Sequence, residues 1–170
     1  MTQLLGQVML AEIREQPSVF ERVLQSQSNI EVVARAIRRF QPQMFLFTAR
    51  GTSDNAATYA RYACEVDVGL PTGLMAPSTM TLYDARPDLS RTVVVAISQS
   101  GGSPDLCEVA RRSRELGALV VAVTNNSDSP LAQQAQFTLD VMAGPEHAVA
   151  ATKSYSCLLY TSPSPRDQRG

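Results

Sequence analysis

Apolar positions recur at helical spacing through the first forty residues. Leu4, Leu5, Val8 and Ile13 make one stretch, ended by Gln16-Pro17; Val19, Phe20, Val23 and Leu24 make a second. A third carries Ile30, Val33, Ala34, Ile37 and Phe40 and stops before Pro42. The pattern predicts three helices ahead of the first strand. The period then changes. Met44-Phe45-Leu46-Phe47 is a continuous apolar run between Pro42 and Gly51, as a strand buried on both faces requires. Helical spacing returns through Ala57, Ala60, Ala63 and Val66, and Thr72 to Met75 predicts a short strand.

Pro77-Ser78 opens a short helix to about Tyr83, and the clearest unit follows it. Thr92-Val93-Val94-Val95-Ala96-Ile97 is uncharged and rich in β-branched residues, Ser98 to Ser103 is a Gly/Ser loop, and Pro104 suits the first turn of a helix. That helix runs through Leu106, Val109 and Leu116 to Gly117, a C-cap residue type. Leu119 to Val123 predicts a further buried strand, Ser129-Pro130 a short helix, and Phe137 to Val141 the last strand. Repeated strand, loop and helix units imply an α/β fold with a parallel sheet covered on both faces.

The 170 residues fit one domain. A net charge of −1, with arginines scattered along the chain, lacks the basic footprint of a nucleic-acid binder. Apolar runs of about six residues fall far short of the roughly 20 that span a bilayer, so no membrane partner is expected. Met1 to Leu10 shows no signal-peptide pattern. Three widely spaced cysteines, Cys64, Cys107 and Cys157, suit a reducing cytoplasm and match no zinc spacing. No metal and no cofactor is expected.

In an open parallel sheet, ligands bind where the carboxyl ends of strands feed helix N-termini. Ser98-Gln99-Ser100-Gly101-Gly102-Ser103 occupies such a place, with four hydroxyl or amide side chains and two glycines ahead of a helix. Glycines let the backbone approach an anion, hydroxyls donate to its oxygens, and the helix N-terminus favours negative charge. Ser residues also suit a plain turn and N-cap, so this loop by itself leaves both readings open. Gly51-Thr52-Ser53-Asp54 repeats the design after another strand, and two converging polar loops exceed what capping needs. Neither contains a P-loop ending or a G-x-G-x-x-G pattern, which leaves small phosphorylated metabolites as the candidate guests.

Gly144 to Lys153 follows the last strand and is the third candidate wall. Glu146 and Lys153 stand seven residues apart, a spacing that could share one side of a helix; an exposed, solvated Lys153 is the plainer alternative. Lys153 is the chain's only lysine. His147 has only its neighbour Glu146 as a potential orienting carboxylate, and no catalytic residue is assigned.

The run Ala49-Arg50-Gly51-Thr52-Ser53-Asp54-Asn55-Ala56, the Ser98-Gln99-Ser100-Gly101 loop and Val149-Ala150-Ala151-Thr152-Lys153 together resemble the three signatures of the sugar isomerase (SIS) domain family. The similarity is strongest to the isomerase half of glutamine-fructose-6-phosphate aminotransferases and to amino-sugar-phosphate deaminases, over about residues 8 to 156. It implies a three-layer αβα sandwich with a five-stranded parallel sheet, flavodoxin-like and of a nucleotide-free Rossmann type. By the same resemblance Ser53, Ser98, Gln99, Ser100 and Ser103 hold the phosphate of a hexose or hexosamine, with Ser103 replacing a common threonine. Gly51 and Thr52 form the loop at the sugar end, while Val149 and the backbone near Ala151 meet sugar hydroxyls. Arg50 stands where the aminotransferases usually have cysteine and Ala151 where they often have serine; both are closer to the deaminase branch.

The resemblance further implies a cytoplasmic, homodimeric parent enzyme with amino-sugar-phosphate deaminase or isomerase activity. Its alternatives are an isomerase-domain fragment of an aminotransferase and a non-catalytic phosphosugar sensor. Residues 1–40 are expected to pack as helices on a SIS domain at 41–156. From residue 157 the periodicity is lost and prolines appear, so 157–170 is expected to be a non-native tail. A chain cut before a second SIS domain, where the family's acid/base glutamate lies, is expected to bind but not to turn over.

Overall fold

The computed structural model describes residues 2–25, 27–148 and 151–160. Helices α1 (Thr2–Gln25) and α2 (Gln27–Phe40) lead into strand β1 (Met44–Ala49). Then come α3 (Thr52–Ala63), a π turn (Cys64–Val68), β2 (Thr72–Leu74), α4 (Pro77–Thr81) and β3 (Thr92–Ile97). The chain continues through α5 (Pro104–Glu115), β4 (Leu119–Thr124), α6 (Pro130–Gln134), β5 (Phe137–Asp140) and α7 (Lys153–Tyr160).

Two helices, not three, precede β1, because α1 passes through Pro17 without ending. A proline inside a helix removes one backbone hydrogen bond and crowds the preceding turn. Packing on both sides of it outweighs that cost: Glu12 lies before Pro17 and Val19 and Val23 after it, all three buried. Each buried valine is worth about 1.5–3 kcal/mol.

All strand pairs are parallel, in the order β2-β1-β3-β4-β5. This is the flavodoxin-like doubly wound order. Alternate residues of β3 feed two separate cores. Val93 and Ile97 pack with Phe45 and Phe47 of β1, Val19 and Val33 of α1 and α2, Ala57 of α3 and Cys157 of α7. Val94 and Ala96 pack with Met80 of α4, Leu106 and Val109 of α5 and Leu131 of α6. Both sheet faces are thus covered, which is why the central strands read as unbroken apolar runs. Helix α7 crosses residue 157, where the composition changes, and Cys157 is wholly buried.

In this strand order the chain turns one way from β1 to β2 and the other way at β3. The crevice outside the carboxyl ends of β1 and β3 is therefore the topological switch point, the place where such sheets bind ligands.

Candidate functional site

A cavity of about 330 Å³ opens at that switch point. Arg50, Thr52 and Ser53 line it from the turn after β1; Ile97, Ser98, Gln99, Ser100 and Ser103 line it from the end of β3 and its loop. Ala151, Ser154 and Tyr155 close it from the third segment and α7. The structure thus brings Thr52, Ser53, Ser98, Gln99, Ser100, Ser103 and Ala151 together around one space. Gly51 sits in the same turn without lining the cavity, at φ +60°, ψ −135°, a conformation that side-chain-bearing residues avoid. Val149 lies outside the described residues.

The 98–103 loop is braced from beneath. The amides of Ser98 and Asn125 bond across to the carbonyls of Val123 and Gln99, both at 3.0 Å, and the Leu131 amide donates to Gly101 O at 3.0 Å. Thr124 Oγ1 donates to Gln99 O at 3.2 Å. Gly101 has φ +63°, and a Cβ there would stand 2.1 Å from Ser129 Oγ, so α6 and the loop fit only with glycine between them. Within the loop, Ser98 Oγ and Ser100 Oγ accept the amides of Gly101 and Gly102, each at 3.2 Å. Ser103 stands at the N-cap of α5, yet its side chain makes no capping bond. Ser103 lines the cavity instead, which favours the ligand reading of this loop over plain capping.

The third segment differs from the helical arrangement its spacing allowed. Glu146 lies ahead of α7, outside any helix or strand, and its carboxylate caps α7. Glu146 Oε1 accepts the amides of Thr152 at 2.7 Å and Lys153 at 2.9 Å, while Oε2 accepts from Ser154 Oγ and, at 2.9 Å, from Gln99 Nε2. A carboxylate at a helix N-terminus is favoured by both the free amides and the dipole. Asn125 steadies the same segment: its Nδ2 donates to Gly144 O and its Oδ1 accepts the Ala143 amide, each at 2.8 Å.

Lys153 is not a solvated lysine. It is 2% exposed, and its Nζ lies 2.6 Å from Glu15 Oε2 of α1. The ammonium beside Glu15 holds that carboxyl below its ordinary pKa. One helical turn earlier, the buried Glu12 accepts the backbone amides of His147 and Ala148. Two carboxylates of α1 thus grip the segment that carries the third wall. Neither partnership was found from sequence, although Glu12 falls seven residues before Val19 on the apolar stripe, and a carboxylate placed there signals an inward partner. His147 itself does not line the cavity. Among the described residues no cluster of His, Cys, Asp or Glu could hold a metal ion, and no helix is long and apolar enough to cross a membrane.

Comparison with known proteins bears on the same residues. Residues 41–161 match the family model described as the SIS domain. The chain is 35% identical over 156 residues to a glutamine-fructose-6-phosphate aminotransferase of Thermus thermophilus, covering 89% of this chain and 26% of that protein. Its fold superimposes on a crystal structure from Silicibacter pomeroyi assigned by name as a phosphosugar isomerase, with TM-score 0.86 and 41% identity, over 89% of this chain and 47% of the other. It also superimposes on the C-terminal domain of the glucosamine-fructose-6-phosphate aminotransferase of Francisella tularensis, with TM-score 0.79 and 27% identity, over 90% of this chain and 45% of that one. The chain therefore spans about a quarter of the curated relative and about half of each solved chain.

Proposed function

The chain belongs to the SIS domain family, and we propose that it is the phosphosugar-binding unit of an amino-sugar-phosphate deaminase or isomerase. The observation that carries this reading is the convergence of two hydroxyl-rich loops, from adjacent parallel strands, on one cavity at the switch point. In this reading Ser53, Ser98, Gln99, Ser100 and Ser103 surround the phosphate of a hexose or hexosamine. Hydrogen bonds to a charged group are worth about 1.5–3 kcal/mol each, enough for a few hydroxyls and amides to select the phosphorylated sugar. Thr52 and the segment of Val149 and Ala151 meet the sugar end.

The parent reaction in this reading opens the sugar ring, moves a proton between C1 and C2 and releases or adds ammonia. The chain's part is to bind and orient. Glu146 is occupied by amides and Lys153 by Glu15, and neither lines the cavity, so the proposal assigns no proton-transferring base here. The intact protein is proposed to be a cytoplasmic homodimer. Its SIS unit begins at residue 41, with 1–40 as packed helices, and extends beyond residue 156, since Cys157 is buried in the core.

A second reading, the isomerase domain of a glutamine-fructose-6-phosphate aminotransferase, draws on the name of the Thermus relative. Arg50 and Ala151 favour the deaminase branch by resemblance. The test is thermal denaturation with glucosamine 6-phosphate, fructose 6-phosphate and the unphosphorylated sugars. Ligands that bind only the folded state raise its melting temperature by mass action. Stabilisation by the phosphates alone is expected, and a Ser98→Ala, Ser100→Ala variant should lose most of it. An equal response to glucosamine rejects the reading.

A further inference from the structure

Among the described residues lining the cavity, Arg50 carries the one charge. Every other polar group there is a neutral hydroxyl, phenol or amide. Arg50 follows β1 directly, just before the Gly51 turn, and its side chain reaches across to α5. There its Nε donates to Asp105 Oδ2 at 2.5 Å, while Asp105 Oδ1 accepts the Leu106 amide at 2.9 Å. Asp105 lies in the first turn of α5, where a carboxylate is favoured by the helix dipole. It is therefore a standing competitor for whatever anion enters beside that helix.

The ion pair leaves the guanidinium both constrained and available. The Arg50 side chain is 58% exposed and that of Asp105 26%, so the contact is partly solvated. It engages Nε, and a guanidinium carries four further N–H donors in the same plane, a fork that matches two phosphate oxygens. Neutral donors can hold a singly or a doubly charged ester. A fixed cation instead attracts a dianion about twice as strongly as a monoanion at the same distance.

Resting on the phosphosugar reading, we propose that Arg50 determines the charge specificity of this site: its guanidinium selects a dianionic phosphate ester over a monoanionic one of the same shape, and Asp105, paired to Nε, opposes that selection by offsetting the guanidinium's charge. Charge selection then resides in one side chain from the β1 turn, while the hydroxyl loops supply shape. The proposal gives Asp105 a role distinct from its place in the first turn of α5, since its removal should favour binding.

The test compares glucosamine 6-phosphate with glucosamine 6-sulfate, a monoanion of nearly the same shape, by calorimetric titration of the 170-residue chain at pH 7.5. The unsubstituted protein is expected to prefer the phosphate clearly. Arg50→Gln should weaken phosphate binding about tenfold or more and sulfate binding much less, collapsing the preference. Asp105→Asn should tighten phosphate binding by about threefold or more as the competing charge is removed. If the unsubstituted protein binds neither ester, the phosphosugar reading fails. If it binds and Arg50→Gln keeps the same phosphate-to-sulfate ratio, the Arg50 proposal is overturned. Should Arg50→Gln not fold, Asp105→Asn decides: unchanged or weaker phosphate binding overturns the proposal.

Discussion

The Gln99 side-chain amide donates to Glu146 Oε2 at 2.9 Å, tying the loop after β3 to the segment that leads into α7. The same carboxylate caps α7, so one acidic side chain fixes the distance between two walls of the cavity.

Glu146→Gln tests this directly. The variant keeps the shape but replaces one acceptor with an amide nitrogen that faces donors. A loss of about 1–3 kcal/mol in folding stability is expected from the unsatisfied amides. Urea denaturation measures it, and faster hydrogen exchange at Thr152, Lys153 and Ser154 would place the loss at α7. Unchanged exchange at those amides would contradict the capping role.

The Glu15 and Lys153 pair has an acid signature. Glu15 is held below its ordinary pKa chiefly by its hydrogen bond to Lys153 and then by the charge of that ammonium. A depressed carboxyl stabilises the fold at pH values above its unfolded pKa, and the contribution is lost as pH falls through the lower folded value. Denaturation of Glu15→Gln and the unsubstituted protein should therefore differ at pH 7 and converge as pH drops below about 4, the range of unperturbed carboxyls. A difference independent of pH would assign the effect to packing.

The loops and strands were legible because their causes are local. Val93 to Ile97 had to be apolar on both faces to divide between two cores, and Pro104 after a Gly/Ser run marks a helix start without any tertiary information. The continuity of α1 through Pro17 was not legible, since local preference ends a helix there and only burial of residues on both sides of it sustains one. For Lys153 the sequence left a place beside Glu146 and an exposed cation both open, because its partner, Glu15, is 138 residues away. Glu146 was noticed and misplaced: helical periodicity could describe its spacing to Lys153, but not a cap reaching the helix from the irregular chain before it.

Glycine positions in the 98–103 loop offer an internal control. Gly101→Ala combines a left-handed φ with a collision against Ser129, whereas a Cβ at Gly102 meets only Ser100 Oγ, at 3.7 Å. Gly101→Ala should destabilise by about 1–3 kcal/mol from backbone strain, with the collision adding to it. Gly102→Ala should cost well under that amount in the same denaturation experiment. Equal costs would contradict the close approach of α6 to this loop.

The thiols should be slow to react in the folded protein. Burial pushes Cys64 and Cys157 up to about 11, and Cys107 is raised for the same reason. With the thiolate as the nucleophile, alkylation at pH 8 should run about a hundredfold slower at Cys64 and Cys157 than in denaturant. Mass spectrometry of iodoacetamide-treated protein resolves each site, and rapid native labelling of Cys157 would contradict its burial between α7 and the core.

The most direct measurement is a crystal structure of the chain grown with glucosamine 6-phosphate. The expected result is a phosphate group in the switch-point cavity, bonded by Ser98, Ser100 and Ser103 from one side and Ser53 from the other, with the sugar toward Thr52 and Ala151. A sugar-phosphate bound elsewhere, or one whose phosphate turns away from the 98–103 loop, would contradict it.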